Sequence, residues 1–189
     1  MMFEPPRKRC KRYDIEGDAH FLAFSCYQRL PLLTKVRSCN WMLEALQLGR
    51  QQDQFDLWAY VIMPEHVHIV LWPHAGTKIS EILTTLKQSV SKRALFWLGR
   101  NAVDFLPNLE VTNSDGTRTH RFWQRGGGYD RNLRSIRDIH EKIDYVHFNP
   151  VRRGLAASPD AWPWSSCRAW LTGVDEPVPI DRTSLPPLL

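Results

Sequence analysis

Cysteine is scarce in this sequence and is never closely spaced. The four cysteines lie far apart, and no two of them form a C-x-x-C pair. Zinc knuckles and small disulfide-bonded domains both need cysteines at close, paired spacings. The spacing therefore argues against both classes of protein, and we predict free thiols of the kind found in a reducing cytoplasm.

Long apolar runs are also lacking. No stretch reaches the roughly eighteen consecutive apolar residues that a membrane-spanning helix needs. The charged N-terminus is not followed by the apolar core of a secretion signal. We expect a soluble, cytoplasmic protein without a membrane partner. The sequence also contains no internal repeat and nothing that resembles a phosphate-binding P-loop.

Acidic residues are the minority charge. The 189 residues include 25 Lys and Arg against 20 Asp and Glu, which favours a polyanionic partner. The length and the 43% hydrophobic content suit one domain with its own core. We expect a basic arm over residues 1–19, one domain over residues 20–172 and a C-terminal tail over residues 173–189. The arm contains "RKRCKR" and is either a contact for that partner or a solvated segment with no target.

Apolar periodicity in the first half predicts strands and helices in alternation. A strand is expected over residues 20–29, and helical spacing predicts a helix from about residue 37 to residue 52. Two antiparallel strands, "FDLWAYVIM" and "HVHIVLW", are expected on either side of a short polar break. A second helix is expected over residues 79–99.

The second half is expected to contain a hairpin and one amphipathic helix. The hairpin is predicted around the D-G dipeptide of "LEVTNSDGTRTHRFW". After a glycine triplet, apolar residues recur at steps of three and four over residues 129–149, which is the stripe of an amphipathic helix. Pro150 is expected to end that helix. The Trp-rich segment beyond it is expected to pack irregularly on the domain.

Two histidines stand one residue apart at the start of the second apolar run. Residues i and i+2 of a strand project to the same face, so the imidazoles of His66 and His68 should point the same way. Such a pair can bind one divalent metal ion and leave positions open for water or phosphate oxygens. The alternative is a half-buried pair that only makes hydrogen bonds. We favour the metal, because a polar pair in apolar surroundings must be satisfied by some partner.

Tyr129 follows the glycine triplet, and glycines free the backbone to move. A phenol with a pKa of about 10 is a poor nucleophile unless a cation or base lies nearby. Phe122 and Trp123 lie close by, as stacking on unpaired bases requires. Tyr129 is therefore a candidate nucleophile, and the alternative is a tyrosine that anchors the start of the helix.

Basic residues cluster around Tyr129 and suit phosphate, although a solvated basic helix face is the alternative. Residues 118–137 include six arginines and a single acidic residue, Asp130. The candidates for contacts with a DNA backbone in this and two further segments are Lys87, Lys92, Arg93, Arg118, Arg121, Arg125, Arg131, Arg134, Arg137, Arg152 and Arg153.

Four ordered motifs carry a family resemblance. They are "AYVIMPEHVHIVLWP", "FWQRGGGYDRN", "IDYVHFNPVRRGL" and "WPWSS". In this order and spacing they resemble the REP-associated tyrosine transposases, which are relatives of the single-tyrosine HUH transposases. The resemblance covers roughly residues 20–170.

The resemblance implies a fold, a cofactor and a substrate. The fold is α+β, a ferredoxin-like antiparallel sheet with helices packed on it. The cofactor is Mg²⁺ or Mn²⁺ on His66 and His68, and Tyr129 is the nucleophile. Relatives usually have a polar third metal ligand one turn beyond the tyrosine. The residue four places along is Leu133, which cannot serve, so the candidate for the third ligand is Asn132.

We therefore expect a metal-dependent endonuclease and strand transferase for single-stranded DNA with REP-like hairpins. A covalent 5′-phosphotyrosine would be the intermediate, and the protein would act at the nucleoid as a monomer or homodimer. The first alternative is an inactive domesticated relative that only binds hairpins, favoured by Leu133 and by Arg131, which stands where many relatives have histidine. A hydrolase of small phosphoesters is a weaker alternative, because Glu65 is the one acid near the histidines.

Overall fold

The computed structural model describes residues 15–188, so the predicted basic segment "RKRCKR" lies outside the described residues. Ten strands and longer helices follow in chain order. They are β1 (Ala19–Ser25), α1 (Val36–Gln51), β2 (Phe55–Met63), β3 (His66–Pro73), α2 (Ile79–Asn101), β4 (Glu110–Thr112), β5 (Arg118–His120), β6 (Tyr129–Leu133), α3 (Ile136–Arg152) and α4 (Cys167–Thr172). None of the described helices combines the length and the apolar character of a membrane-spanning segment.

Four strands form the central antiparallel sheet in the order β2-β3-β1-β6. The chain runs β1-α1-β2-β3-α2-β6 through it, so α1 connects β1 to β2 across β3, and α2 precedes the return from β3 to β6 across β1. This is the ferredoxin-like arrangement, and the predicted α+β fold is confirmed. β4 and β5 form a separate two-stranded hairpin, which confirms the turn predicted at the D-G dipeptide.

The two faces of the sheet carry different helices, because successive side chains of a strand point to opposite faces. Leu22 of β1 belongs to a core that includes Met42 of α1 and Leu86 of α2. Its neighbour Phe21 belongs to a second core that includes Ile143 of α3. The sheet is therefore covered on both sides, and α3 packs on the face that carries Phe21 together with Trp162 and Trp170.

The segment that starts at Tyr129 departs from the sequence prediction. Residues 129–133 were expected to be helical, but they form β6, which pairs with β1 from Ala19↔Leu133 to Ala23↔Tyr129. The free edge of β1 overrides the helical spacing of the apolar residues. α3 begins only at Ile136, where the Ser135 hydroxyl accepts a hydrogen bond from Asp138 N at 3.1 Å.

The other predicted boundaries differ in smaller ways. β1 ends at Ser25 instead of residue 29, and a short 3₁₀ turn, Tyr27–Arg29, follows it. α3 does not stop at Pro150 but continues to Arg152. α1 and α2 lie where helical spacing predicted them.

The predicted C-terminal tail packs against the domain. Val178 and Ile180 are buried in the core on the α1–α2 side. Asp181 accepts a hydrogen bond from Leu57 N of β2 at 2.7 Å and pairs with the Arg50 guanidinium of α1. The carboxylate therefore joins the edge strand of the sheet to the helix beside it.

We expect Asp181→Ala to lower the free energy of unfolding by about 1–3 kcal/mol, because it leaves a buried backbone N–H without an acceptor. Glu141→Ala is the matched control, since that carboxylate pairs with Arg137 on an exposed helix surface, and it should change stability by less than about 0.5 kcal/mol. Urea denaturation of both variants measures the difference. Equal effects would mean that Asp181 does not hold the segment in place.

Candidate active site

The register of the sheet brings His68 and Tyr129 into one row. Ala23 of β1 pairs with His68 on one side and with Tyr129 on the other. Directly paired residues of neighbouring strands point to the same face, so both side chains lie on the face that α3 covers. Neighbouring strands lie about 4.8 Å apart, so the two backbones are separated by roughly 10 Å. Ser25 places His66 at the end of the same face.

The two histidines converge on each other, as their spacing predicted. Their Nε2 atoms are 2.9 Å apart, and both side chains are buried. Burial lowers the pKa of His68 to about 3. Burial also lowers the pKa of His66, although the neighbouring carboxylate of Glu65 opposes that effect. Both imidazoles are therefore neutral near pH 7, the form that binds a metal ion.

Glu65 fixes the orientation of His66. Its Oε1 lies 3.1 Å from His66 Nδ1, and a carboxylate can only accept, so Nδ1 carries the proton and Nε2 presents its lone pair. The same oxygen lies 3.0 Å from the Arg153 guanidinium and 3.8 Å from that of Arg29. Burial alone would raise the pKa of Glu65, but His66 and Arg153 hold it below its usual value.

Two donor atoms, the Nε2 atoms of His66 and His68, are spaced to bind one divalent ion. Adjacent ligands of an octahedral ion at about 2.1 Å lie roughly 3 Å apart, close to the separation of the two Nε2 atoms. A carboxylate behind a metal-binding histidine is a common orienting partner, and Glu65 has that place. Among residues 15–188, no three His, Cys, Asp or Glu side chains come close enough to share one ion. Any third protein ligand would therefore be of another type.

Tyr129 is well exposed for an aromatic residue on a sheet. Its side chain is 45% exposed. The ring of Phe21 lies edge-on to Tyr129 at 5.9 Å and stacks on His68 at 5.3 Å. The phenol thus stands beside the histidines with one apolar ring between them.

The glycine loop before Tyr129 is held tightly where it joins β6. Gly128 has φ +79°, and a Cβ there would lie 2.3 Å from the Ala23 carbonyl oxygen. The Lys87 ammonium of α2 donates to the carbonyls of Gly126 at 2.6 Å and Gln124 at 3.2 Å. Lys87 was predicted to contact DNA, which stays a prediction, and in the structure its ammonium binds the loop. The loop is therefore more ordered than the free hinge that three glycines predicted.

An open cavity of about 480 Å³ joins these groups. His66, His68 and Tyr129 line it. It is also lined by four arginines, which are Arg29, Arg125, Arg152 and Arg153. Three of these arginines were candidates from the sequence. No acidic residue is among the described residues that line the cavity, so it attracts anions.

Arg29 is a residue that the sequence interpretation missed. It and Gln28 both have positive φ, 56° and 50°, which is uncommon for residues other than glycine. This turn carries Arg29 into the cavity from the end of β1. The available signal was the polar "YQR" immediately after a strand that ends opposite His66. Strained backbone of this kind is found disproportionately at functional sites.

Other predicted basic residues lie outside the cavity. Arg121 and Lys87 line a smaller depression beside the glycine loop. Lys92 and Arg134 are exposed. The remaining candidates form ion pairs on the surface, and these pairs are Arg93 with Glu44, Arg118 with Glu110, Arg131 with Asp138 and Arg137 with Glu141.

The structure does not bring Asn132 to the histidines. Asn132 was proposed as a third ligand on the assumption of a helix, but in β6 it pairs with His20 and points away from Tyr129. Its Nδ2 donates to Asp18 Oδ2 at 2.9 Å. Asp130 lies on the same far face, where its Oδ1 contacts His20 Nδ1 at 2.7 Å.

Two known proteins are similar to this chain in sequence. A protein of Haemophilus influenzae described as a REP-associated tyrosine transposase is 25% identical over 113 residues, which are 59% of this chain and 58% of that protein. The REP-associated tyrosine transposase of Escherichia coli is 22% identical over 161 residues, which are 82% of this chain and 80% of that protein. No family model matches the chain.

A solved structure is also similar to this chain. It is described as a REP-associated tyrosine transposase bound to a REP hairpin, and it matches with a TM-score of 0.62 at 22% identity. The match covers 91% of this chain and 87% of that chain. The chain resembles REP-associated tyrosine transposases. The resemblance inferred from the four motifs is thereby confirmed, and the structural match supports the fold.

We expect Gly128→Ala to lower the free energy of unfolding by about 2–4 kcal/mol, because it combines a left-handed backbone with a clash against a carbonyl of β1. Gly99→Ala is the matched control, since Gly99 lies in α2 with open space around it. That change should leave stability unchanged or raise it by up to about 1 kcal/mol. Chemical denaturation compares the two, and an equally mild effect at Gly128 would contradict the tight packing of the loop.

Proposed function

We propose that the protein is a metal-dependent endonuclease and strand transferase for single-stranded DNA that carries REP-like hairpins. The observation that carries the proposal is the single cavity that His66, His68, Tyr129 and four arginines line together. A nucleophile, a pair of neutral metal ligands and anion-binding groups are the parts that phosphoryl transfer requires.

The arginines suit the phosphates of a single strand. Guanidinium groups bind phosphate through paired, charge-assisted hydrogen bonds. Arg152 lies over the Tyr145 ring at 4.9 Å, which fixes one of these groups at the cavity wall. The relative of known structure is described as bound to a REP hairpin, and we propose the same class of ligand for this chain.

Tyr129 is the proposed nucleophile. Its Oη would form a bond to the scissile phosphorus while the bond from phosphorus to the 3′-oxygen breaks. The phenol loses one proton in this step, and the departing 3′-oxygen gains one. The product is a 5′-phosphotyrosine and a free 3′-hydroxyl. Attack of a 3′-hydroxyl on that linkage reverses the exchange and rejoins DNA without ATP.

His66 and His68 are the proposed holders of the divalent ion. Bound Mg²⁺ or Mn²⁺ would neutralise charge on the scissile phosphate. Glu65 keeps the lone pair of His66 directed toward the site, and burial keeps both imidazoles unprotonated. The chain's own part is thus to present two neutral nitrogen ligands at fixed separation.

A second candidate function is hairpin binding without cleavage. It is favoured by one observation, namely that no three His, Cys, Asp or Glu side chains meet at one point within residues 15–188. Such a domesticated relative would use the same arginines and would not need Tyr129.

A covalent-adduct experiment tests the proposal. Labelled single-stranded DNA with a hairpin, incubated with the protein and Mn²⁺, should give an adduct on a denaturing gel. Tyr129→Phe should abolish the adduct and retain hairpin binding, because it removes only the attacking oxygen. Tyr145→Phe is the matched control, since Tyr145 lines the same cavity, and it should still form the adduct.

The outcomes separate the two candidate functions. An adduct that survives Tyr129→Phe, or that maps to another tyrosine, would refute the assignment of the nucleophile. Strong hairpin binding by the unmutated protein without any adduct would favour the non-catalytic alternative.

Salt dependence tests the arginines. Arg29→Met should weaken hairpin binding and reduce the slope of log affinity against log salt by about 0.7, the share of one phosphate contact in a single strand. Arg137→Met should change neither quantity, because Arg137 lies outside the cavity and pairs with Glu141. The measurement is the affinity for the hairpin from low to high salt. Equal slopes for the two variants would mean that Arg29 does not contact a phosphate.

A further inference from the structure

Asn149 lies on α3 between two residues that contact the histidine site, one at His68 and one at Glu65. One turn before it, the ring of Tyr145 meets the ring of His68 at 5.6 Å. One turn after it, Arg153 reaches Glu65, the carboxylate bonded to His66. Residues four apart lie on the same side of a helix, so Asn149 is on the side of α3 that faces the histidines. It also lines their cavity.

The side-chain oxygen of Asn149 has no partner within the described part of the chain. Asn149 is only 6% exposed, and its Oδ1 is buried without a hydrogen bond. Leaving such a group unsatisfied is unfavourable, because it loses its hydrogen bonds to water without a replacement. A buried acceptor that lines a cavity and lacks a donor therefore indicates a ligand that the protein itself does not supply.

We propose that the carboxamide oxygen of Asn149 is the third protein ligand of the divalent ion held by His66 and His68. This inference rests on the metal site of the proposed function. Mg²⁺ and Mn²⁺ prefer oxygen ligands, and amide oxygens are among those that proteins provide. Asn149 takes the place that sequence reasoning gave to Asn132, which lies on the other face of the sheet.

A neutral oxygen ligand also suits the charge of the site. With two imidazoles and one carboxamide, the ion would keep its full positive charge for the scissile phosphate. A protein carboxylate in that position would cancel part of that charge. The ligand set also explains why a group of three His, Cys, Asp or Glu residues is missing from the described chain.

Manganese binding to the full chain without DNA tests the inference, with free Mn²⁺ measured by electron paramagnetic resonance. Asn149→Ala should weaken Mn²⁺ binding by at least about tenfold, since even the loss of an outer-sphere partner often costs that much. Asn149→Asp should bind Mn²⁺ at least as tightly as the parent, because it keeps an oxygen in place and adds charge. Asn132→Ala is the matched control and should bind like the parent.

His66→Ala separates this inference from the proposed function. If His66→Ala loses Mn²⁺ while Asn149→Ala binds it like the parent, the third ligand is wrong and the histidine site stands. If the parent itself binds no Mn²⁺, the metal site falls and the inference falls with it. If circular dichroism shows that Asn149→Ala is unfolded, Asn149→Asp decides, because Mn²⁺ affinity below that of the parent would overturn the assignment.

Discussion

The pairing of β1 with both β3 and β6 is the constraint on which the rest of the site depends. Ala23 lies between His68 and Tyr129, so a single register fixes which residues share the face under α3. A shift of β6 by one residue would turn Tyr129 to the other face and bring Asp130 to the cavity. The same pairing leaves no room for a side chain at Gly128, whose Cβ would meet the Ala23 carbonyl. Strand pairing and the glycine loop therefore specify one placement of the phenol.

Charge is distributed around the cavity in two layers. The lining carries guanidinium groups and neutral imidazoles, and the nearest carboxylate, Glu65, lies behind His66. Burial keeps both histidines unprotonated, so they do not add to the positive charge of the arginines. An anion entering the cavity meets only attractive charge, while Glu65 orients His66 and holds Arg153. In the proposed function, this separation would let one site bind phosphate and still offer ligands to a cation.

α3 joins parts of the site that are distant in sequence. Its apolar stripe packs on the sheet through Ile139, Ile143 and Val146. Its last two turns and the residue that follows them carry polar side chains over the histidines, from Tyr145 to Arg153. The packing of this stripe thus sets where the polar C-terminal end of α3 lies relative to the histidines. A helix that served only as a cover for the sheet would not need, at that end, a buried Asn149 whose Oδ1 has no partner among residues 15–188.

The sequence by itself determined the strand spacing of His66 and His68, the helices α1 and α2, and the motif order that indicated the family resemblance. These are local patterns, and strand or helix periodicity is legible without the rest of the chain. Only the tertiary structure decided that Tyr129 lies on a strand, because β6 exists through pairing with β1, a hundred residues away in sequence. That pairing also moved Asn132 to the far face. The packing of α3 brought Asn149 to the cavity, and the turn after β1 brought Arg29 there. Lys87 is a further example. The sequence shows its positive charge, but only the fold determines that its ammonium binds the carbonyls of the glycine loop.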